Sequence, residues 1–106
     1  MESVEEWANK LKDKIVIVEG IKDRKALNNL GVRNVIILNK PIHQIIDYIS
    51  ERYKDVVILT DLDKKGRELY SKLRFGLERN HIKIDNRFRI FLFRERISHI
   101  EGIRLR

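Results

Sequence analysis

Three short runs of apolar, mostly β-branched residues constrain the fold more than anything else in the chain: Ile15-Val16-Ile17-Val18, Val35-Ile36-Ile37-Leu38 and Val56-Val57-Ile58-Leu59. None alternates with polar residues, so each must be covered on both faces. That is the condition of strands inside a parallel sheet. The intervening segments have helical periodicity. Residues 3–13 carry Val4, Trp7, Ala8 and Leu11 at i, i+3, i+4, i+7 spacing, with Ser3 and Glu6 placed as a capping box. A helix over about 22–30 ends at Gly31, and Pro41 suits the first turn of a helix whose apolar face is Ile42, Ile45, Ile46, Ile49 and Tyr53. A longer helix spans about 64–78, with Leu69, Leu73 and Leu77 four apart. Phe88–Phe93 is predicted as the fourth strand, and 94–106 fits no single pattern. Strands alternating with helices imply right-handed crossovers and an α/β fold, a four-stranded parallel sheet between helices.

With 106 residues the chain is expected to form a single domain over 1–106, with a core at about 13–93 and a basic C-terminal segment at 94–106. There is no Cys, which excludes disulfides, Cys-type zinc sites and a thiol nucleophile. The N-terminus is acidic and polar, unlike a signal peptide, and the longest apolar runs are four residues against the ~20 of a membrane span. A cytoplasmic protein without a membrane partner is expected. The net charge of +7 is uneven. Residues 1–71 hold 13 Lys/Arg against 12 Asp/Glu, and residues 72–106 hold 10 against 4. A localised basic region is the electrostatic footprint of a nucleic-acid binder.

In open parallel sheets, ligands sit beyond the carboxyl ends of the strands. Glu19-Gly20 follows the first strand, and Thr60-Asp61-Leu62-Asp63 follows the third. If those strands are neighbours, Glu19 and Asp61 stand on backbones ~5 Å apart. Asp61 and Asp63, two residues apart in extended backbone, point the same way while Leu62 points to the core. Three converging carboxylates repel unless a cation or proton intervenes, and oxygen ligands favour Mg²⁺ or Mn²⁺. Each aspartate is also well placed to cap the helix that follows it.

The sequence here resembles the Toprim family. Val16-Ile17-Val18-Glu19-Gly20-Ile21-Lys22-Asp23 is similar to its first motif, an apolar strand, Glu-Gly, then Asp four residues after the Glu. Ile58-Leu59-Thr60-Asp61-Leu62-Asp63-Lys64-Lys65-Gly66 is similar to its second, an apolar strand, Asp-x-Asp, then Gly. The resemblance implies a Rossmann-like Toprim fold, Glu19 as general acid/base or metal ligand, and Asp61 and Asp63 as ligands of Mg²⁺ (or Mn²⁺). It implies a role in RNA or DNA phosphodiester chemistry. Topoisomerases usually carry another acidic residue after the motif Gly, where this chain has Arg67, and primases need more chain. The size and the basic residues look more like the maturase ribonucleases and small stand-alone Toprim proteins.

Two readings stay open: a metal-dependent nuclease, or a non-catalytic nucleic-acid-binding module or subunit of a processing or repair complex. Two copies could build a groove that one cannot, so a homodimer is a further expectation. Lys22, Arg24, Lys64, Lys65 and Arg67 flank the carboxylates, and with Arg94, Arg96, Arg104 and Arg106 they are the candidate phosphate contacts. Asp23 either caps its helix or stands near the metal, and Asn39 reads as a cap. Phe88, Phe91 and Phe93 could stack on bases, although most should be core. His43, His81 and His99 are not paired at metal-ligand spacing and read as solvated.

Overall fold

A computed structural model describes residues 2–103. The chain runs α1 (Val4–Leu11), β1 (Val16–Val18), α2 (Ile21–Asn29), β2 (Val35–Ile37), α3 (Ile42–Arg52), β3 (Asp55–Ile58), α4 (Lys64–Arg79), β4 (Lys83–Ile84) and α5 (Arg87–Arg94), followed by a 3-10 turn at Ile100–Gly102. The four strands form one parallel sheet in the order β2-β1-β3-β4. The chain therefore leaves β1 outward to β2 and crosses back to β3. The reversal falls between β1 and β3, whose register pairs Val16 with Val57 and Ile17 with Ile58. Beyond their carboxyl ends lies the crevice in which such sheets bind ligands.

Each apolar run splits its side chains between two cores, as a doubly covered sheet requires. Val16, Val18, Val57 and Leu59 pack with Trp7, Leu11, Leu27, Phe88, Phe91 and Leu92 on one face. Ile17, Val56 and Ile58 pack with Ile45, Ile49, Leu73 and Leu77 on the other. Ser3 caps α1 by accepting the Glu6 amide at 3.1 Å, and its hydroxyl donates to the Glu6 carboxylate at 3.2 Å. Gly31 ends α2 in the left-handed region at φ +88°, where glycine carries no side-chain penalty.

The fourth strand is not Phe88–Phe93. It is the two-residue edge strand Lys83–Ile84, paired with Asp55 and Val56, and 87–94 is helix α5. The aromatic and branched residues of this segment suit a strand locally. Its buried set, however, is Phe88, Phe91 and Leu92, which is i, i+3, i+4 spacing. Tertiary packing decides the matter. Trp7 stacks on Phe91 with ring centroids 5.5 Å apart, and its buried Nε1–H donates to the Phe88 carbonyl at 3.0 Å. A strand would have turned Phe91 away from Phe88.

Beyond α5 the chain returns over the same core, with Ile97 packed against it and Ile100 and Ile103 buried. The Leu62 amide donates to the Ser98 carbonyl at 2.8 Å, which ties this returning segment to the loop after β3. Among the described residues no helix is long and apolar enough to cross a membrane.

Candidate metal centre

Glu19 leaves the end of β1 and Asp61 follows β3 by three residues. Because the strands are adjacent, the Glu19 carboxylate reaches across and accepts the Asp61 amide through Oε2 at 2.7 Å. Asp63 is the N-cap of α4 and divides its two oxygens. Oδ1 accepts the Gly66 amide at 2.8 Å, while Oδ2 lies 3.6 Å from Nε2 of His99. Oδ2 of Asp61 lies 3.7 Å from the same nitrogen. The two aspartates thus face one way, with Leu62 turned toward the core between them. Capping and site-building are separate tasks for separate atoms of Asp63, and Asp61 caps nothing.

The loop that presents these residues is tied at several points. Buried Thr60 donates its hydroxyl to the Gly66 carbonyl at 2.7 Å. Arg89 of α5 donates to the Thr60 carbonyl at 2.6 Å and to the Asp61 carbonyl at 3.2 Å, while its guanidinium lies 4.4 Å over the Tyr70 ring. Burial lowers the Arg89 pKa, opposed in part by Tyr70, Glu19 and Asp61. It sets a cation against the back of the loop.

Asp61 is held up at a pKa of about 6, first by burial and then by the charge of Glu19, with His99 opposing. The Asp23 carboxyl is raised too, by burial first, although the Gly20 amide donates to it at 3.0 Å and favours its ionised form. Asp23 thus does its work at the start of α2. Among the described residues, Asp61, Asp63 and His99 each offer a ligand atom, all within 4.8 Å of one another. Two carboxylate oxygens and an imidazole nitrogen, in a place where burial and then the neighbouring Glu19 charge push the Asp61 carboxyl upward, suit a divalent cation.

A cleft of about 480 Å³ adjoins the carboxylates, lined by Glu19, Gly20, Lys22, Asn39, Asp61 and Glu101 among others. Asn39 lines this cleft rather than capping α3, where Pro41 takes the N-cap position. Lys64 and Lys65 are exposed on the first turn of α4, and Arg24 is half-buried on α2. Arg67 donates to the Leu62 carbonyl at 3.4 Å and lines a second cleft of about 460 Å³ with Tyr70, Arg89, Ile90 and Phe93. Phe88 and Phe91 are core, whereas Phe93 is 74% exposed and open to a stacking partner. Arg94 and Arg96 are exposed at the end of α5, and Arg104 and Arg106 lie outside the described residues.

Two residues at the site escape a reading of the sequence. Arg89 does so because its segment looks like a strand. His99 does so because its partners in the site, Asp61 and Asp63, lie far from it in sequence. The one local hint is the apolar spacing of Ile97, Ile100 and Ile103, which anchors the segment to the core and brings His99 over the loop.

Comparison with known proteins agrees with this geometry. The chain is 42% identical over 102 residues to a UPF0292 protein of Thermococcus onnurineus, covering 93% of this chain and 77% of that protein. It is 34% identical over 96 residues to a UPF0292 protein of Methanocaldococcus jannaschii, covering 88% and 75%. A solved structure described as a putative protein from Aquifex aeolicus superposes with a TM-score of 0.90 at 32% identity, covering 97% of this chain and all of that one. These names carry no activity. The family model described as Toprim domain matches residues 14–93, both carboxylate motifs included, and carries with it a metal-binding role related to nucleic acids. With that match spanning most of its length, the chain belongs to the Toprim domain family.

Proposed function

We propose that this protein is a metal-dependent phosphodiesterase acting on RNA or DNA, with Asp61 and Asp63 as metal ligands and Glu19 as the acid/base group. The observation that carries this reading is the meeting of Glu19, Asp61 and Asp63 at the carboxyl ends of two adjacent parallel strands. Mg²⁺ or Mn²⁺, when bound, would polarise the phosphoryl oxygens and orient a water. Glu19 spends Oε2 on the Asp61 amide and keeps its other oxygen for proton transfer. Lys22, Lys64, Lys65 and Arg67 hold the backbone phosphates on either side, and Arg24, Arg94 and Arg96 extend the basic surface. Such contacts give affinity without reading sequence.

A second reading is a non-catalytic module that docks phosphates at the same site, alone, as a homodimer or in a complex. The hydrogen bond from the Asp61 amide favours it, because a carboxylate so engaged already has a structural task. A cleavage and binding screen on structured RNA and DNA, with Mg²⁺, with Mn²⁺ and with chelator, tests the proposal. Metal-dependent cleavage supports the nuclease, metal-dependent binding without cleavage supports the module, and neither would sink both.

The phosphate contacts have their own measurable consequence. Each one releases counterions, so the log–log salt slope of binding to single strands changes by ~0.7 per contact. Neutralising Lys64 and Arg67 together is expected to flatten that slope by about 1.4 and weaken all sequences alike. An unchanged slope would remove both residues from the interface.

A further inference from the structure

We propose that His99 is the third protein ligand of the ion held by Asp61 and Asp63, and that its nitrogen turns the site toward Mn²⁺ in preference to Mg²⁺. The inference rests on the metal reading given above and deepens it. His99 lies far from both carboxylate motifs in sequence, yet its Nε2 stands 3.7 Å from Asp61 Oδ2 and 3.6 Å from Asp63 Oδ2. All three ligand atoms fall within 4.8 Å of one another, as a single ion requires.

The surroundings of His99 prepare it for this task. Its other ring nitrogen, Nδ1, lies 2.9 Å from Ser98 Oγ. In the tautomer with its proton on Nδ1, the ring donates to Ser98 and presents the Nε2 lone pair to the carboxylates. A histidine that binds a metal typically donates its remote N–H to a neighbour in this way, fixing the tautomer and raising ligand basicity. The backbone is fixed as well. The Ser98 carbonyl accepts the Leu62 amide at 2.8 Å, from the residue between the two aspartates. Ile97 donates to the Leu92 carbonyl at 2.9 Å, and Ile100 and Ile103 are buried in the core. The segment carrying His99 and the loop carrying the aspartates are one tied unit.

The donor set decides the metal. Mg²⁺ is a hard ion that keeps several waters and takes one or two carboxylates, and it gains little from an imidazole. Imidazole nitrogen best suits Zn, Cu, Fe and Ni; Mn²⁺ shares the carboxylate and water ligands of Mg²⁺ but, as a first-row transition ion, gains more than Mg²⁺ from a nitrogen donor. A site of two aspartates and a histidine therefore separates the two ions where two aspartates alone would not.

The opposing possibility is that His99, when protonated, merely balances the two carboxylates. The two roles have opposite consequences for cation affinity. If His99 is a ligand, His99→Ala lowers Mn²⁺ affinity at least ~10-fold and leaves Mg²⁺ affinity within a few-fold. If it is a counter-charge, its removal tightens both ions. The experiment is calorimetric titration of the full chain with Mn²⁺ and with Mg²⁺ at neutral pH, for wild type, His99→Ala, His99→Gln and Asp61→Asn/Asp63→Asn. It is paired with spin-echo spectroscopy of bound Mn²⁺ for a coordinated nitrogen. Expected are tighter binding of Mn²⁺ than of Mg²⁺ in wild type, a preference that both His99 variants lose, and a nitrogen signal that is lost with it. Because His99 is exposed, both variants should fold, and their unfolding curves check this. Equal affinities that need the aspartates but not His99, or bound Mn²⁺ without a nitrogen signal, overturn the inference and leave the carboxylate site standing. If neither ion binds wild type, both fail.

Discussion

Gly66→Ala is expected to destabilise the protein by ~3 kcal/mol, at or beyond the upper end of ordinary overpacking. Gly66 sits in the first turn of α4, where Ala would ordinarily be better than Gly by ~1 kcal/mol. Local propensity therefore points to stabilisation, and tertiary contact reverses the sign. A Cβ at Gly66 would run into the Asp61 carbonyl oxygen and come within 2.8 Å of the Asp61 Cα. These are backbone atoms, and they are held from several sides. The Asp61 amide is bound by Glu19 and its carbonyl by Arg89, while the Gly66 amide is bound by Asp63 and its carbonyl by Thr60. The strain cannot be relieved without moving Asp61 or releasing those bonds. Gly20→Ala is the control, because a Cβ there meets nothing within 4 Å and the backbone is extended at φ −150°. Gly20 is the N-cap of α2, where Gly is preferred over Ala, so the change should cost about 1 kcal/mol at most, well below Gly66→Ala. Urea unfolding of the two variants measures both. A neutral or stabilising Gly66→Ala would mean that the loop after β3 does not press on α4 as described.

On the proposed nuclease reading, Glu19→Gln is expected to reduce cleavage by a factor of ~10² to 10⁴ while nucleic-acid affinity holds within a few-fold. The change keeps the shape, and the Gln carbonyl oxygen can still accept the Asp61 amide, so the loop stays in place. What is lost is the group that exchanges a proton, together with a charge that helps hold Asp61 at a pKa of about 6. Single-turnover cleavage and equilibrium binding on the same substrate separate the roles. Parallel loss of both would identify Glu19 as a structural or metal-binding residue. Full cleavage by the variant would remove it from the chemistry.

The parts of this molecule that a sequence can reveal are those fixed by local pattern. Strands β1, β2 and β3 are legible because each is apolar throughout, which only a doubly covered strand can be. Glu19, Asp61 and Asp63 are legible because strand ends in a parallel sheet have one destination. The segment 83–94 misleads, because Phe88–Phe93 has strand-like residues while its fate is settled by Trp7, with which it shares no local signal. A two-residue edge strand such as Lys83–Ile84 buries too little to leave a pattern. Arg89 and His99 reach the site only through that packing. Arg89 comes from the mistaken segment, and His99 comes from a tail whose spacing of Ile97, Ile100 and Ile103 shows that it packs but not where it lands. Of the basic residues after 71, Arg94 and Arg96 are exposed.

The central claim, that Asp61 and Asp63 hold a divalent cation, is tested most directly by thermal unfolding of wild type and Asp61→Asn/Asp63→Asn as Mn²⁺ or Mg²⁺ is added. An ion that binds only the folded state stabilises it by ~2.7 kcal/mol at a hundredfold excess over its Kd. For a domain of this size that is a rise in Tm of about 10 °C or more. Asparagine can still cap α4 at position 63, so the variant should fold. Without metal it should even gain stability above pH 6. Folded Asp61 holds its proton up to about pH 6, against 3.8 as the ordinary value, so the metal-free wild type loses stability as pH rises between the two. The expected result is a metal-dependent rise in the wild type and none in the variant. The same rise in both proteins would place the ion elsewhere and contradict the assignment.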